Sequence, residues 1–406
     1  MTAVMSGVRV LEVAEHTFVP AASALLADWG AEVIKIEHVE RGDAMRGLAR
    51  NSGLALLGGD VHVLLEHSNR GKKSLGLDLK SDEGLDILNR LAATCDVFLT
   101  NKLASVRSSL RIDCDSIRAH NPDIIYVAGT GQGEKGPDAD KGSYDSLGYW
   151  ARAGIAASLA EPDDDFVLPP PGPAFGDSIG AMTIAGGIMG ALFHRERTGE
   201  ATTVDVSLLG VGVWSMGATV ALCQQLGLPR LPIGRGGNSG NPLVGNYQTR
   251  DGRWLSFACL QGAKYWPEMC ALIGRPELGV DERFADAESL HANGQAAVAI
   301  MTEEIASRDL DAWVELLADF TGQWARVQNM TELAADPQTI ANGYLAECTT
   351  PSGSPYTLAA APVHFGGEPT VPLRAPEFNE HGDEILGGLG LSWDEIVDLK
   401  VRGVVA

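Results

Sequence analysis

The sequence is short of positive charge. Its 406 residues hold 31 lysines and arginines against 53 acids, a formal net charge of -22. That balance excludes general binding to nucleic acid or to an anionic membrane. A polyanionic ligand would need the few basic residues gathered at its site. Cysteine is sparse too: six are scattered (Cys95, Cys114, Cys223, Cys259, Cys270, Cys348) and none forms C-x-x-C. This predicts reduced thiols, a cytoplasmic setting and no zinc site. The nine histidines never take H-E-x-x-H or a similar metal spacing. The first βα turn, "EVAEHTFVPAAS" (12–23), lacks the glycines that bring a backbone close to a pyrophosphate, which argues against NAD or FAD. No G-x-x-x-x-G-K-[ST] is present either, so phosphate binding would fall to side chains. The opening residues carry acids early and no apolar run, so no secretory leader is expected.

What is there is an ordinary globular composition, 45% hydrophobic and 21% charged, with length enough for two domains. Strand-like and helix-like runs alternate: 8–14, 20–30, 31–38, 73–80, 81–93, 96–101, 113–120 and 123–131. This predicts an α/β fold with an open, mostly parallel sheet. Its ligand would lie at the strands' carboxyl ends, here 15–18, 38–43, 101–103 and 129–133. The Pro- and acid-rich stretch 161–173 reads as surface loop. Long apolar helices are expected near 178–195 and 205–226. The uncharged run 206–223 is about long enough to span a membrane, but its serines, threonine and glycines favour a buried helix or a dimer interface. A Gly-rich loop (234–242) and a hairpin turning at Asp251-Gly252 (247–259) open a second region. In 309–320, Leu310, Trp313, Val314 and Leu317 share a helical face. The expected division is 1–224 for a large domain, 225–330 for a small α/β domain, and 331–406 for a return to the first.

Two stretches could carry chemistry. In "SNRGKKSLGLDLK" (68–80), Arg70, Lys72 and Lys73 precede a strand. They read either as a solvated basic loop or as a charge-assisted grip on phosphate. "RGDAMRG" (41–47) could add Arg41 and Arg46, although Arg46 could equally pair with Asp43. In "GPAFGDSIGAM" (172–182), Asp177 falls where a helix starting at Ser178 would have its N-cap. Free N–H groups and the helix dipole there would keep it ionised, as a nucleophile must be. Gly176 and Gly180 would allow a substrate to approach closely.

"VRVLEVA", "PAASALLADWGAEVIKIE", "RGD", "NRGKKSLGLDLKSDEG", "NPDIIYVAGTGQG", "GDSIGAM", "GGIMGALFHRERTGE", "VDVSL" and "APEFNEHGDEIL" follow one another in order. Together they resemble the family III CoA-transferases over nearly the whole chain. The resemblance implies an interlocked homodimer, each chain with a large Rossmann-like domain and a smaller α/β domain. It implies that Asp177 is the nucleophile, forming first an anhydride with the acyl group and then a thioester with CoA, without metal or redox cofactor. CoA or acyl-CoA would be substrate, and a carboxylic acid the second partner. Thr17 and Phe18 would contact CoA, Arg70, Lys72 and Lys73 its phosphates and adenosine. Asn101, Lys102 and Leu103 match the strand end that holds adenine, although "TNKLAS" lacks the family's usual Phe and Pro-Gly. His38 stands where relatives often carry Arg. Ser143, Tyr144 and Asp145 match a segment near the pantetheine and thioester. Gly236, Gly237 and Asn238 match a glycine loop that closes over the intermediate, where backbone N–H groups would hold an oxyanion.

Racemases of the same fold are similar to this chain but carry "G-H-D" where "SYD" stands here. A racemase needs two bases, and a phenol is a poor one at neutral pH. Transfer is therefore expected over racemisation. An acyl-CoA isomerase or racemase is the first alternative, and a non-catalytic CoA-binding protein the second.

Overall fold

The computed structural model describes residues 2–51, 54, 55, 57–161, 164–232 and 240–406. The chain forms two compact units. One comprises Met1–Ser158, Phe166–Leu226 and Pro337–Ala406, the other Leu159–Asp165 and Gly227–Asp336.

The first unit alternates strand and helix: β1 (Arg9–Val13), α1 (Phe18–Asp28), β2 (Glu32–His38), the two-residue strands β3 (Arg50–Asn51), β4 (Leu54–Ala55), β5 (Leu57–Gly58) and β6 (Val61–His62), α2 (Val63–Asn69), β7 (Lys73–Leu77), α3 (Asp82–Ala92), β8 (Val97–Thr100), α4 (Ala104–Ser109), α5 (Cys114–Arg118), β9 (Ile125–Thr130), α6 (Ile155–Leu159), α7 (Phe175–Thr198), β10 (Thr203–Ser207), α8 (Leu208–Ser215) and α9 (Gly217–Leu226). The second unit carries β11 (Val244–Gln248), β12 (Trp254–Ala258), α10 (Gly262–Leu272), α11 (Ala287–Ala292), α12 (Gly294–Ile305), α13 (Leu310–Leu316), β13 (Trp324–Arg326) and α14 (Met330–Ala335). The chain returns to the first unit with α15 (Pro337–Ala341), the hairpin β14 (Leu345–Thr349) and β15 (Pro355–Ala359), α16 (Gly382–Gly388) and α17 (Trp393–Val401).

Six strands form one parallel sheet in the order β10-β9-β8-β1-β2-β7. The order reverses between β1 and β8, the doubly wound arrangement that opens a crevice at that point. Strands covered on both faces read as continuous apolar runs rather than alternating ones, and Val10, Leu11, Val97, Phe98, Ile125 and Val127 are fully buried. One face packs α1 and α7 through Leu26, Ile184 and Ile188. The other packs α3, α5, α16 and α17 through Leu88, Ile117, Leu386 and Leu399. The last residues also guard the free edge of β7. Asp78 N–H donates to Val404 O and Ala406 N–H to Gly76 O, so the edge is not left open to pairing.

The expected helix over 205–226 is corrected. Thr203–Ser207 is the sixth strand, paired with β9. The Ser207 side chain then caps α8 by accepting from Gly210 N at 3.0 Å, and the helix ends at Ser215 with Met216 as its C-cap. Only part of this run is buried in the chain: α8 buries Leu208, Val211 and Gly212, whereas no residue of α9 is buried and Trp214 is 86% exposed. It is instead α7 that is long and apolar enough to cross a membrane by length and composition, and it packs Ile184, Ala185 and Ile188 into the core.

In the second unit β11 and β12 pair antiparallel, as expected. Gly252 takes φ 76° at the turn, which a side chain would resist. Leu310, Trp313 and Leu317 enter that unit's core, with Val314 partly buried against it.

Candidate active site

The β1–α1 turn is built on buried charge. Glu12, in the centre of the sheet, is fully buried, and so is Lys35 beside it on β2. Lys35 Nζ donates to Glu12 Oε1 at 2.7 Å and to Ala14 O at 2.8 Å, and it pairs with Asp43 Oδ2 at 2.8 Å. Lys72 Nζ reaches Glu12 Oε2 and Pro20 O at 2.8 Å and Asn69 Oδ1 at 3.1 Å. Two cations thus meet two anions at ion-pair distance, the pairing without which buried charge is not tolerated. Burial alone would push Glu12 and Asp43 up, but their lysine partners hold both below the usual carboxylate range. Asp43 Oδ1 also accepts from Met45 N at 2.8 Å and His16 N at 3.0 Å. The latter bond holds His16 at φ 67°, left-handed for a residue with a side chain. Where a dinucleotide fold places glycine, this turn uses a strained histidine held by a buried aspartate.

This network corrects the expected phosphate grip. All three hydrogens of the Lys72 ammonium are used inside the protein. Arg70 is buried, with Nε and Nη2 on Asp28 at 2.9 and 2.8 Å and Nη1 on His67 O at 2.7 Å. Lys73 bridges Glu32 and Glu384 at 2.8 Å each. The physical reason is topological. Lys73 stands opposite Ile34 at the amino end of β7, whereas ligands of a parallel sheet gather at the carboxyl ends. Arg46 does not pair with Asp43 but forks onto both oxygens of Glu37 at 2.7 Å.

At the carboxyl ends two cavities adjoin. One, about 330 Å³, lies beyond β1, β2 and β7 and is lined by His38, Arg41 and Lys80 among others. The second, about 500 Å³, is lined by His16, Phe18, Asn101, Leu103, Ser143, Tyr144 and Asp177 among others. Glu15, Lys102 and Val106 line both, so the two form one cleft across the switch point between β1 and β8. Asn101 clamps the turn, donating to Glu15 O at 2.7 Å and accepting from Glu15 N at 3.2 Å. Glu15 pairs with Lys102 and, at 2.8 Å, with Arg41. Thr17 is buried behind the turn and lines neither cavity. Lys80 is the cation that motif reading passes over; its signal is its place three residues past the carboxyl end of β7.

Asp177 sits at one end of the cleft, but not as a cap. α7 begins at Phe175, its N-cap is Ala174 in a left-handed conformation (φ 59°), and no side chain caps it. Asp177 is in the first helical turn. The free N–H of Gly176 is taken by Asp145 Oδ2 at 3.2 Å, while Asp145 Oδ1 accepts from Ser146 N at 2.7 Å. Burial first, and then the Asp145 charge, push the Asp177 carboxyl up to about 7. This is the reverse of the expected effect of the helix end, because desolvation and a like charge outweigh the dipole. Gly176 and Gly180 do not open space for substrate either. A Cβ on Gly176 would lie 2.5 Å from the Tyr149 ring, and one on Gly180 2.3 Å from the Phe18 ring. The glycines admit these aromatic rings and so shape the wall behind Asp177.

Ser143 Oγ donates to Tyr144 O at 3.2 Å and accepts from Gln132 Nε2 at 3.2 Å. The Tyr144 ring meets His16 edge-on, centroids 5.5 Å apart. His16, outside the "SYD" motif, therefore shares a cavity with Asp177. Gly236, Gly237 and Asn238 lie outside the described residues. Among the described residues, no group of three or more His, Cys, Asp or Glu is placed to hold a metal ion.

Against this geometry, the family model described as CoA-transferase family III matches residues 5–382. The chain belongs to CoA-transferase family III. It is 31% identical to the (R)-2-hydroxy-4-methylpentanoate CoA-transferase of Clostridioides difficile over 402 residues, 99% of each protein. It is 30% identical to the cinnamoyl-CoA:phenyllactate CoA-transferase of Clostridium sporogenes, over 98% of this chain and 96% of that one. In structure it matches a CaiB/BaiF family protein from Brucella suis with a TM-score of 0.80 at 27% identity, covering 96% of this chain and 100% of that one. The family III protein described here is thus a transferase of the CoA-transferase class, and CoA thioesters are the substrates of that class.

Proposed function

We propose that the protein moves CoA between two carboxylic acids through Asp177. The observation that carries this reading is the cleft itself: Arg41 and Lys80 line one cavity, Asp177 lines the other, and three residues join them. CoA would lie along the carboxyl edge of the sheet, its phosphates toward Arg41, Lys80 and His38, its thioester toward Asp177. Charge-assisted contacts suit phosphate, and this assignment replaces Arg70, Lys72 and Lys73.

The chemistry balances without an external reagent. An Asp177 carboxylate oxygen attacks the thioester carbonyl; a C–O bond forms, the C–S bond breaks, and CoA leaves as thiolate. The thiolate attacks the Asp177 carbonyl of the anhydride. A new C–S bond forms, the first acid departs with one former Asp177 oxygen, and an aspartyl-CoA thioester remains. The acceptor carboxylate attacks this thioester and expels the thiolate again. The thiolate then takes the acceptor's acyl carbon and returns Asp177 as carboxylate. Splitting acyl exchange in this way is covalent catalysis. A carboxyl held near 7 is a stronger nucleophile, when ionised, than an ordinary aspartate, and a substantial fraction is ionised at neutral pH. Gly236, Gly237 and Asn238 remain the candidate oxyanion donors, with Ser143, Tyr144 and Asp145 beside the thioester.

The exposed apolar side chains of α8 and α9, Val213, Trp214, Val220, Leu222 and Leu226, support a homodimer, and six free cysteines support a cytoplasmic setting. The deciding experiment is mass analysis of the Asp177 peptide after incubation with acyl-CoA and hydroxylamine. Modified Asp177 is the expected result. Turnover retained by Asp177→Ala would overturn the proposal.

A further inference from the structure

We infer that the acyl group accepted by Asp177 is uncharged and apolar beyond its carbonyl, an aliphatic or aryl monocarboxylate rather than one half of a dicarboxylate. The inference rests on the reading of Asp177 as the nucleophile.

The wall around Asp177 carries it. Phe18, Tyr144, Leu147 and Leu208 line the same cavity. Phe18 and Leu208 are buried, while Tyr144 and Leu147 are largely exposed, 59% and 55%. The two lysines that line it are paired with acids of the chain, Lys102 with Glu15 and Lys141 with Asp138 at 2.8 Å, and the His16 ring lies edge-on to Tyr144. The charge felt by Asp177 has the wrong sign for an anionic substrate tail: it is that of Asp145, which accepts the N–H of Gly176, the residue before Asp177. A succinyl or glutaryl group would bring a second carboxylate to this wall and strip its water without providing a partner, which is costly. An aliphatic or aryl group instead gains by leaving water.

The test uses the full chain with four thioesters: succinyl-CoA, glutaryl-CoA, 4-methylpentanoyl-CoA and 3-phenylpropanoyl-CoA. Trapped adduct on the Asp177 peptide and kcat/KM are measured for each. Labelling by the two apolar thioesters, with kcat/KM about a hundredfold above succinyl-CoA, about two factors of ten in discrimination, is the expected result. Equal or better labelling by either dicarboxylate-derived thioester overturns this inference alone, since Asp177 would still be the acyl acceptor. Turnover without any adduct on Asp177, or no labelling by any of the four, overturns the underlying mechanism and this inference with it. In Leu147→Lys, a surface-facing change, the ratio of succinyl to 4-methylpentanoyl turnover should rise about three- to fivefold, the equivalent of one weak charge contact. An unchanged ratio would overturn the assignment of this wall to the acyl group.

Discussion

Asp145 Oδ2 accepts the Gly176 N–H at 3.2 Å. The N–H of the residue before Asp177, at the start of the helix, is thereby taken by a second carboxylate from a distant part of the chain. This arrangement turns the expected stabilisation of the Asp177 anion into its opposite. The carboxyl stands at about 7, chiefly through burial and then through Asp145. A residue that would be inert as an ordinary surface aspartate is left with a basic, poorly solvated carboxylate at the edge of a cleft.

The pH dependence of turnover should follow. In the proposed mechanism attack by Asp177 requires the ionised form, so kcat/KM for acyl-CoA, which reports the free enzyme, should rise with pH and level off above about 7. Asp145→Asn removes the like charge while its amide oxygen can still accept from Gly176. The inflection should move to lower pH without reaching an ordinary aspartate value, because burial remains. A profile flat from pH 5 to 8, or an inflection that Asp145→Asn leaves unmoved, would contradict this account.

The same shift has a cost in stability. Asp177 in the folded chain holds its proton up to about 7, whereas an unfolded aspartate releases it near ~3.9. The native state therefore binds more protons between these values, and stability falls as pH rises through that window. Asp177→Asn has no such titration. Its Tm relative to wild type should be near unchanged at pH 4 and should climb toward pH 7 and above. Thermal scans across pH 4 to 8 measure the difference. A gap that narrows as pH rises would mean that Asp177 is stabilised as the anion.

The parallel sheet was legible because strands buried on both faces are rich in apolar residues, as 8–14, 31–38 and 123–131 are, although 8–14 and 31–38 also carry Glu12 and Lys35, whose burial as a pair no local pattern announces. β10 was not: Thr203–Ser207 is an edge strand, with none of its residues fully buried, and it merges in sequence with the apolar helix after it. Asp177 stood out by its neighbours, yet its cap role was misplaced. Nothing local announces that Ala174 takes a left-handed conformation and starts the helix early. The basic residues at 70–73 could not be told from a phosphate grip, because their acids, Glu12, Asp28, Glu32 and Glu384, are distant in sequence. What decides their role is the end of the sheet at which they fall.

Two sets of cations can be separated by substitution. Lys72→Met leaves Glu12 buried with one partner lost, which should cost about 3–5 kcal/mol of stability. Its KM for acyl-CoA should change little at temperatures where it remains folded. Arg41→Ala and Lys80→Ala should do the reverse, leaving Tm nearly unchanged and raising KM for acyl-CoA about tenfold each, the scale of one charge-assisted contact. Chemical denaturation and steady-state kinetics on the same preparations compare the two. Intact stability with a large rise in KM for Lys72→Met would restore the phosphate grip to residues 70–73.

Oxygen labelling separates the covalent route from direct attack of acceptor on donor. When both oxygens of the acceptor carboxylate are ¹⁸O, its attack on the aspartyl-CoA thioester carries one label into the anhydride bridge. The thiolate then takes the acceptor's acyl carbon, and the bridging oxygen stays with Asp177. The acyl-CoA product should keep one label, and the Asp177 peptide should gain 2 Da after a single turnover, an increment set by that isotope exchange. In direct displacement the labelled oxygen would leave with the first acid and the Asp177 peptide would be unlabelled. The peptide mass is independent of which acids the protein prefers, provided one acid pair turns over. Labelled peptide in wild type should also vanish in Asp145→Asn only to the extent that turnover falls, because Asp145 tunes the charge of Asp177 but takes no oxygen from the substrate.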